Sequence, residues 1–169
     1  MKAIIVVDHG SRRQEANEMM RCGANLVQEM AGPDVLVMHA HMEIAEPGVG
    51  AGLADCVAGG ATDITVFPYM LSPGRHSTAD IPRMVSDAAR AFPQVTFSVT
   101  PAFGVHEKLA ELIFERVGIA AVKVPAGSEA DRCWDPECSV KLCGDAGRAK
   151  TAGPTALPGG SSGTVGSVF

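Results

Sequence analysis

No apolar run in this 169-residue sequence reaches the roughly twenty residues that a bilayer-crossing helix needs, so no segment reads as a membrane span. A surplus of positive charge is also missing. Fourteen Lys and Arg stand against nineteen Asp and Glu, a formal net charge of -5, which argues against non-specific nucleic-acid binding through phosphates. The cysteines follow no secreted disulfide framework: Cys22 and Cys56 sit inside apolar-periodic segments, while Cys133, Cys138 and Cys143 crowd together near the end. After the first apolar run, Asp8-His9-Gly10-Ser11-Arg12 lacks the glycine spacing of a dinucleotide-binding turn, which argues against a nucleotide enzyme. Gly104-Val105-His106 and the lone Ser72 do not form a nucleophile elbow. Met1 leads directly into Lys2-Ala3-Ile4-Ile5-Val6-Val7 with no basic or Ser-rich leader, so the expected location is the cytoplasm unless a targeting segment lies outside this sequence.

What is present describes a globular domain. Apolar residues make up 46% and charged residues 20%, enough to build one sizeable core. Ala3 to Val7 is a continuous β-branched run ending in polar residues, as a buried parallel strand requires. Ser11 and Gln14 have capping-box spacing, and Ala16, Met19, Met20, Gly23, Val27 and Met30 recur at helical intervals until Gly32-Pro33. Val35 to Met38 predicts a second strand. A helix with Val49, Leu53, Cys56 and Val57 on one face follows Pro47. Ile64 to Phe67 predicts a third strand, and a helix beginning near Asp80 carries Pro82 in its first turn. Val95 to Val99 is the fourth strand, and Leu109, Leu112, Ile113 and Val117 mark a fourth helix.

Four strand-then-helix units predict an α/β fold with a parallel sheet of about four strands and flanking helices. The domain is expected over residues 1–122. Residues 123–169 are a Gly/Pro/Ser-rich tail, expected to be disordered outside its cysteine cluster because it has little apolar surface to offset the entropy of ordering.

In open parallel sheets the ligand crevice lies beyond the carboxyl ends of the strands. Sorted by that rule, Asp8 to Arg13 follow the first strand, His39, His41, Glu43 and Glu46 belong to the end of the second, and Pro68 to His76 follow the third. Two imidazoles and a carboxylate, His9, His76 and Glu43, therefore converge on one edge, a donor set suited to an open divalent transition-metal site. His39 and His41 compete for the same role but have no third donor paired with them locally, and read as supporting or packing residues. Arg12, Arg13 and Arg75 are surface cations by default. Beside His9 and His76 they fit bidentate recognition of substrate carboxylates.

These blocks together resemble the small sirohydrochlorin chelatases of the CbiX/SirB type, class II chelatases, and among them the plant and algal members. The resemblance is carried by Val7-Asp8-His9-Gly10-Ser11-Arg12-Arg13, Ala40-His41-Met42-Glu43-Ile44-Ala45-Glu46-Pro47, Phe67-Pro68-Tyr69-Met70-Leu71-Ser72-Pro73-Gly74-Arg75-His76 and Asp80-Ile81-Pro82. It implies a flavodoxin-like half-domain that works as a homodimer. It also implies His9 and His76 as metal-binding and proton-accepting residues, Glu43 as a third ligand, and sirohydrochlorin, an octacarboxylate macrocycle, contacted by Ser11, Arg12, Arg13 and Arg75. Fe²⁺ is the expected metal substrate, with Co²⁺ insertion or a non-catalytic tetrapyrrole or metal carrier as alternatives. In a plant or alga the chloroplast stroma is the implied compartment. Plant-type members carry a cysteine-rich C-terminal segment binding a [2Fe–2S] cluster, which makes Cys133, Cys138 and Cys143 candidate ligands one thiolate short of the usual four. The chain departs from the pattern at Ser77-Thr78, where an aromatic residue is usual, and at Gly48, where Ser is common.

Overall fold

The computed structural model describes residues 1–122 and the short segment Thr155–Ala156. Its strands are β1 (Lys2–Asp8), β2 (Val35–His41), β3 (Asp63–Pro68), β4 (Thr96–Val99) and β5 (Thr155–Ala156), and its helices are α1 (Gln14–Ala31), α2 (Val49–Ala58), α3 (Ile81–Ala89) and α4 (Glu107–Val117). Sheet order is β2-β1-β3-β4-β5. The first four strands are mutually parallel, as the alternation of strands and helices predicts, while β5 pairs antiparallel with β4. β5 comes from the region read as tail, and it occupies the outer edge of β4, where unpaired backbone groups can accept one more strand.

The larger core cluster joins Ile5 and Val7 of β1, Ile64 and Val66 of β3, Leu53 and Cys56 of α2, and Ile81 and Val85 of α3. Burial pushes the Cys56 thiol up to about 11, so it packs as an unreactive apolar group. A smaller cluster, Val6, Met20, Ala24 and Val37, seats α1 on the opposite face.

Two local expectations are corrected. Ser11 and Gln14 form no capping box: Ser11 Oγ accepts from the Arg13 amide, and Gln14 donates to Glu18 on the helix surface. Asn17 takes over, accepting from the Ser11 amide and donating to the Ser11 carbonyl, so the turn after β1 is tied to the first turn of α1. On α1 the apolar stripe that meets the sheet runs through Met20 and Ala24, leaving Met19 and Met30 exposed. Helix α4 forms where its spacing predicts, with Leu109 half-buried and Leu112, Ile113 and Val117 exposed.

Candidate active site

Parallel pairing fixes which residues leave the sheet together. In the β1–β2 register Asp8 stands opposite His41, and the ladder continues past both strands: the Met42 amide donates to the Asp8 carbonyl and the Glu43 amide to the His9 carbonyl. His9 and Glu43 are thus held side by side by backbone before their side chains meet. Gly10 makes this approach possible. Its φ is +82°, and a Cβ there would stand 2.1 Å from the Glu43 carbonyl oxygen, so only glycine fits.

The side chains then close on each other. His9 Nε2 lies 2.8 Å from Glu43 Oε1, with both groups about half exposed. The His76 ring stands edge-on to that of His9, centroids 5.3 Å apart at 71°. The three residues therefore come together as an exposed histidine–carboxylate pair with a second imidazole alongside. Among the described residues no three His, Cys, Asp or Glu form a ready-made metal cage.

Each arm has its own support. Ile44, next to Glu43, has φ +71°, a left-handed conformation that costs a β-branched residue about 1–3 kcal/mol. An open hollow of about 370 Å³ runs along this loop from His41 to Gly48 but does not take in His9 or His76. His76 begins a single π-helical turn, His76–Asp80, that runs into α3. Ser77 and Thr78, the departures from the family pattern, serve this turn: Ser77 Oγ donates to the Gly74 carbonyl and accepts from its amide, and Thr78 Oγ1 donates to the same carbonyl.

The other predicted residues lie around this edge. Ser11 is half-buried in the turn, and Arg12 and Arg13 are exposed beside it. Arg75 is 84% exposed, with its Nε 3.7 Å from Asp80, an arrangement weak enough to release the guanidinium to an anion. Cys133, Cys138 and Cys143 lie outside the described residues.

Sequence reasoning missed three features. Asp8 pairs with His41: its Oδ1 lies 2.5 Å from His41 Nδ1 and also accepts the Gly10 amide. His41 is 1% exposed, and among the described residues its Nε2 has no hydrogen-bond partner. The only sequence hint was the β1–β2 register. Asp80 Oδ2 lies 3.0 Å from His76 Nδ1, a pair whose four-residue spacing was visible but whose geometry needs the π turn. An aromatic stack also flanks β3, with Phe103 edge-on to both Phe67 and the exposed Tyr69 at 4.9 Å. Tyr69 thereby supplies an accessible aromatic after β3, although Ser77 and Thr78 do not.

Fold and edge together define a parallel α/β domain that presents an open imidazole–carboxylate site at the carboxyl ends of its strands. The chain belongs to the CbiX family, whose profile matches residues 3–120. It is 38% identical over 130 residues to the chloroplastic sirohydrochlorin ferrochelatase of Arabidopsis thaliana, covering 77% of this chain and 56% of that protein. Against a sirohydrochlorin cobaltochelatase of Priestia megaterium it is 35% identical over 117 residues, 69% of this chain and 38% of the relative. The crystal structure of the sirohydrochlorin chelatase SirB from Bacillus subtilis subspecies spizizenii in complex with cobalt superposes with a TM-score of 0.64 at 28% identity, over 69% of this chain and 50% of the other. The chain spans about half the length of these relatives.

Proposed function

We propose that residues 1–122 form a sirohydrochlorin chelatase that inserts Fe²⁺ into sirohydrochlorin to give sirohaem. The observation that carries this reading is the convergence of His9, Glu43 and His76 at one exposed edge in a CbiX-family fold. Inserting a divalent ion into the free ring forms metal–nitrogen bonds and releases two pyrrole N–H protons, so the site must hand over a cation and take up two protons. Imidazole suits both tasks, because its neutral form binds transition metals and it takes up protons near neutrality. His9 and His76 deliver the ion, and the His9–Glu43 pair is placed to accept protons. A cargo ion must leave its protein ligands, which a half-exposed donor set allows and a closed tetrahedral site does not. Arg12, Arg13 and Arg75, with Ser11, hold the macrocycle's carboxylates, and exposed Tyr69 offers a face to the ring.

Among the described residues the site is an exposed edge beside a shallow loop hollow, which supports a homodimer in which a second copy walls it. The Arabidopsis relative's compartment supports a chloroplast stromal location in a plant or alga, with the cytoplasm as the alternative. Co²⁺ insertion is the second reading, favoured by the Priestia cobaltochelatase and by the cobalt-bound SirB.

The deciding experiment is single-turnover absorbance spectroscopy of free sirohydrochlorin mixed anaerobically with the protein and Fe²⁺, Co²⁺ or Ni²⁺. Metallation faster than the protein-free background, fastest with Fe²⁺, is expected. Background rates with every metal would leave a carrier and overturn the enzyme.

A further inference from the structure

The two site imidazoles are engaged through different ring nitrogens. His9 meets Glu43 through Nε2 at 2.8 Å, whereas His76 meets Asp80 through Nδ1 at 3.0 Å. Asp80 stands at the junction of the π turn and α3, the position where an aspartate ordinarily caps a helix by accepting from its first amides. Here it caps nothing. The π turn runs straight into α3, and no Asp80 side-chain bond to the helix backbone is made. The extra residue of that turn, closed by the Ile81 amide donating to the His76 carbonyl, instead brings the carboxylate against the imidazole four residues earlier. Asp80 is only 19% exposed, while His76 is 49% exposed. Two guanidinium groups, Arg75 at 3.7 Å and Arg83 at 3.8 Å, flank the carboxylate.

From this geometry, and resting on the chelatase reading, we propose that Asp80 is a positioning residue: it fixes His76 as the Nδ1–H tautomer, with Nε2 presented as the lone pair that carries the metal ion. An ionised carboxylate only accepts hydrogen bonds, so the nitrogen facing it must bear the proton and the other must be bare. The same contact holds the ring plane while the ion passes to the macrocycle, the service that carboxylates perform for metal-binding histidines generally. His9 is also held by a carboxylate, but through Nε2 and by Glu43, which the proposed function counts among the groups of the site. The pair is therefore asymmetric, with one imidazole preset for metal and the other engaged by a carboxylate that lies in the site itself.

The test compares wild type, Asp80→Ala, Asp80→Asn and His76→Ala in two measurements. Steady-state insertion of Co²⁺ gives KM for the metal and for sirohydrochlorin separately, and long-range ¹H–¹⁵N spectra give the His76 tautomer. Asp80→Ala is expected to raise the Co²⁺ KM by about tenfold to a hundredfold, with an unchanged sirohydrochlorin KM and melting temperature, and to lose the Nδ1–H signature. Asp80→Asn keeps an acceptor oxygen and is expected to lie between Asp80→Ala and wild type. A folded Asp80→Ala protein with wild-type Co²⁺ KM overturns the role. Should Asp80→Ala fail to fold, Asp80→Asn and the wild-type spectrum decide, and a wild-type His76 protonated at Nε2 overturns it. If wild type inserts no metal at all, the chelatase reading fails by itself, while the tautomer still reports on Asp80.

Discussion

Two pairs of histidines sit at the same end of the sheet with nearly the same geometry. His39 and His41 are edge-on with centroids 5.6 Å apart, and His9 and His76 are edge-on at 5.3 Å. What separates them is burial and the place of the carboxylate partner. His41 is inside the protein and its partner Asp8 is spent within the fold, tying the end of β1 to the end of β2 and to the Gly10 amide. His9 and His76 face outward, and the carboxylates they touch, Glu43 and Asp80, leave the rings accessible to a ligand. An imidazole with a carboxylate beside it is thus not in itself a site. The buried pair sets the turn from which the exposed pair is presented.

The largest expected effect breaks the exposed pair. His9→Ala and His76→Ala should each lower metal insertion by about a hundredfold or more, the range associated with losing a positioned acid–base group. The melting temperature should stay within a few degrees, because neither side chain is buried. Insertion assays and thermal melts on the same preparations check this. Wild-type rates in both variants would remove the distinction between the pairs.

His41→Ala should do the reverse and strike stability first. It leaves the Asp8 carboxylate without its partner and opens a void at a fully buried position. Asp8 keeps the Gly10 amide and some solvent, so the cost is expected at about 2 kcal/mol, below that of breaking a fully buried pair. Urea unfolding at neutral pH measures it. A variant of wild-type stability but no activity would place His41 in the chemistry instead.

The contrast between the pairs also separates what the sequence made legible. Strand ends could be found from β-branched runs, and the rule that ligands gather at those ends brought His9, Glu43 and His76 to one edge without coordinates. The four-strand parallel sheet followed from the same pattern. The buried pair was hidden because Asp8 and His41 are 33 residues apart and meet only through the β1–β2 register. Asp80 was hidden by the π turn, which no periodicity announces. On α1 two apolar stripes competed, and tertiary packing chose Met20 and Ala24 over Met19 and Met30. Helix α4 carried a sound amphipathic pattern whose partner surface is absent from one copy's described residues.

A smaller effect is expected at the rim of the exposed pair. Arg75→Ala should raise the apparent KM for sirohydrochlorin by up to about tenfold with little change in kcat, the signature of a group that binds substrate and transition state equally. Its guanidinium is free enough to take a substrate carboxylate, since its contact with Asp80 is long and exposed. Steady-state kinetics with varied sirohydrochlorin provide the check. A fall in kcat at unchanged KM would move Arg75 from binding the ring to the insertion step.

The smallest effect concerns His39, the half-buried neighbour of His41, and appears only as a slope against pH. Burial holds the His39 imidazole below its ordinary value of 6.5, with the neighbouring His41 and Arg21 acting in the same direction and Asp8 opposing them. The folded chain therefore resists protonating His39 more than the unfolded chain does. Above the unfolded value both states hold it neutral, and it contributes no pH dependence. As pH falls below 6.5 the unfolded state binds the proton first, so stability declines until the folded pKa is also passed, where the loss levels off. His39→Gln removes this component while leaving the Asp8–His41 pair in place. The difference in urea midpoint between about pH 7.5 and about pH 5.5 should then be smaller in the variant than in wild type. An unchanged difference would mean that His39 contributes nothing to the acid sensitivity of this edge, and that the loss belongs to the other ionisable groups of the fold.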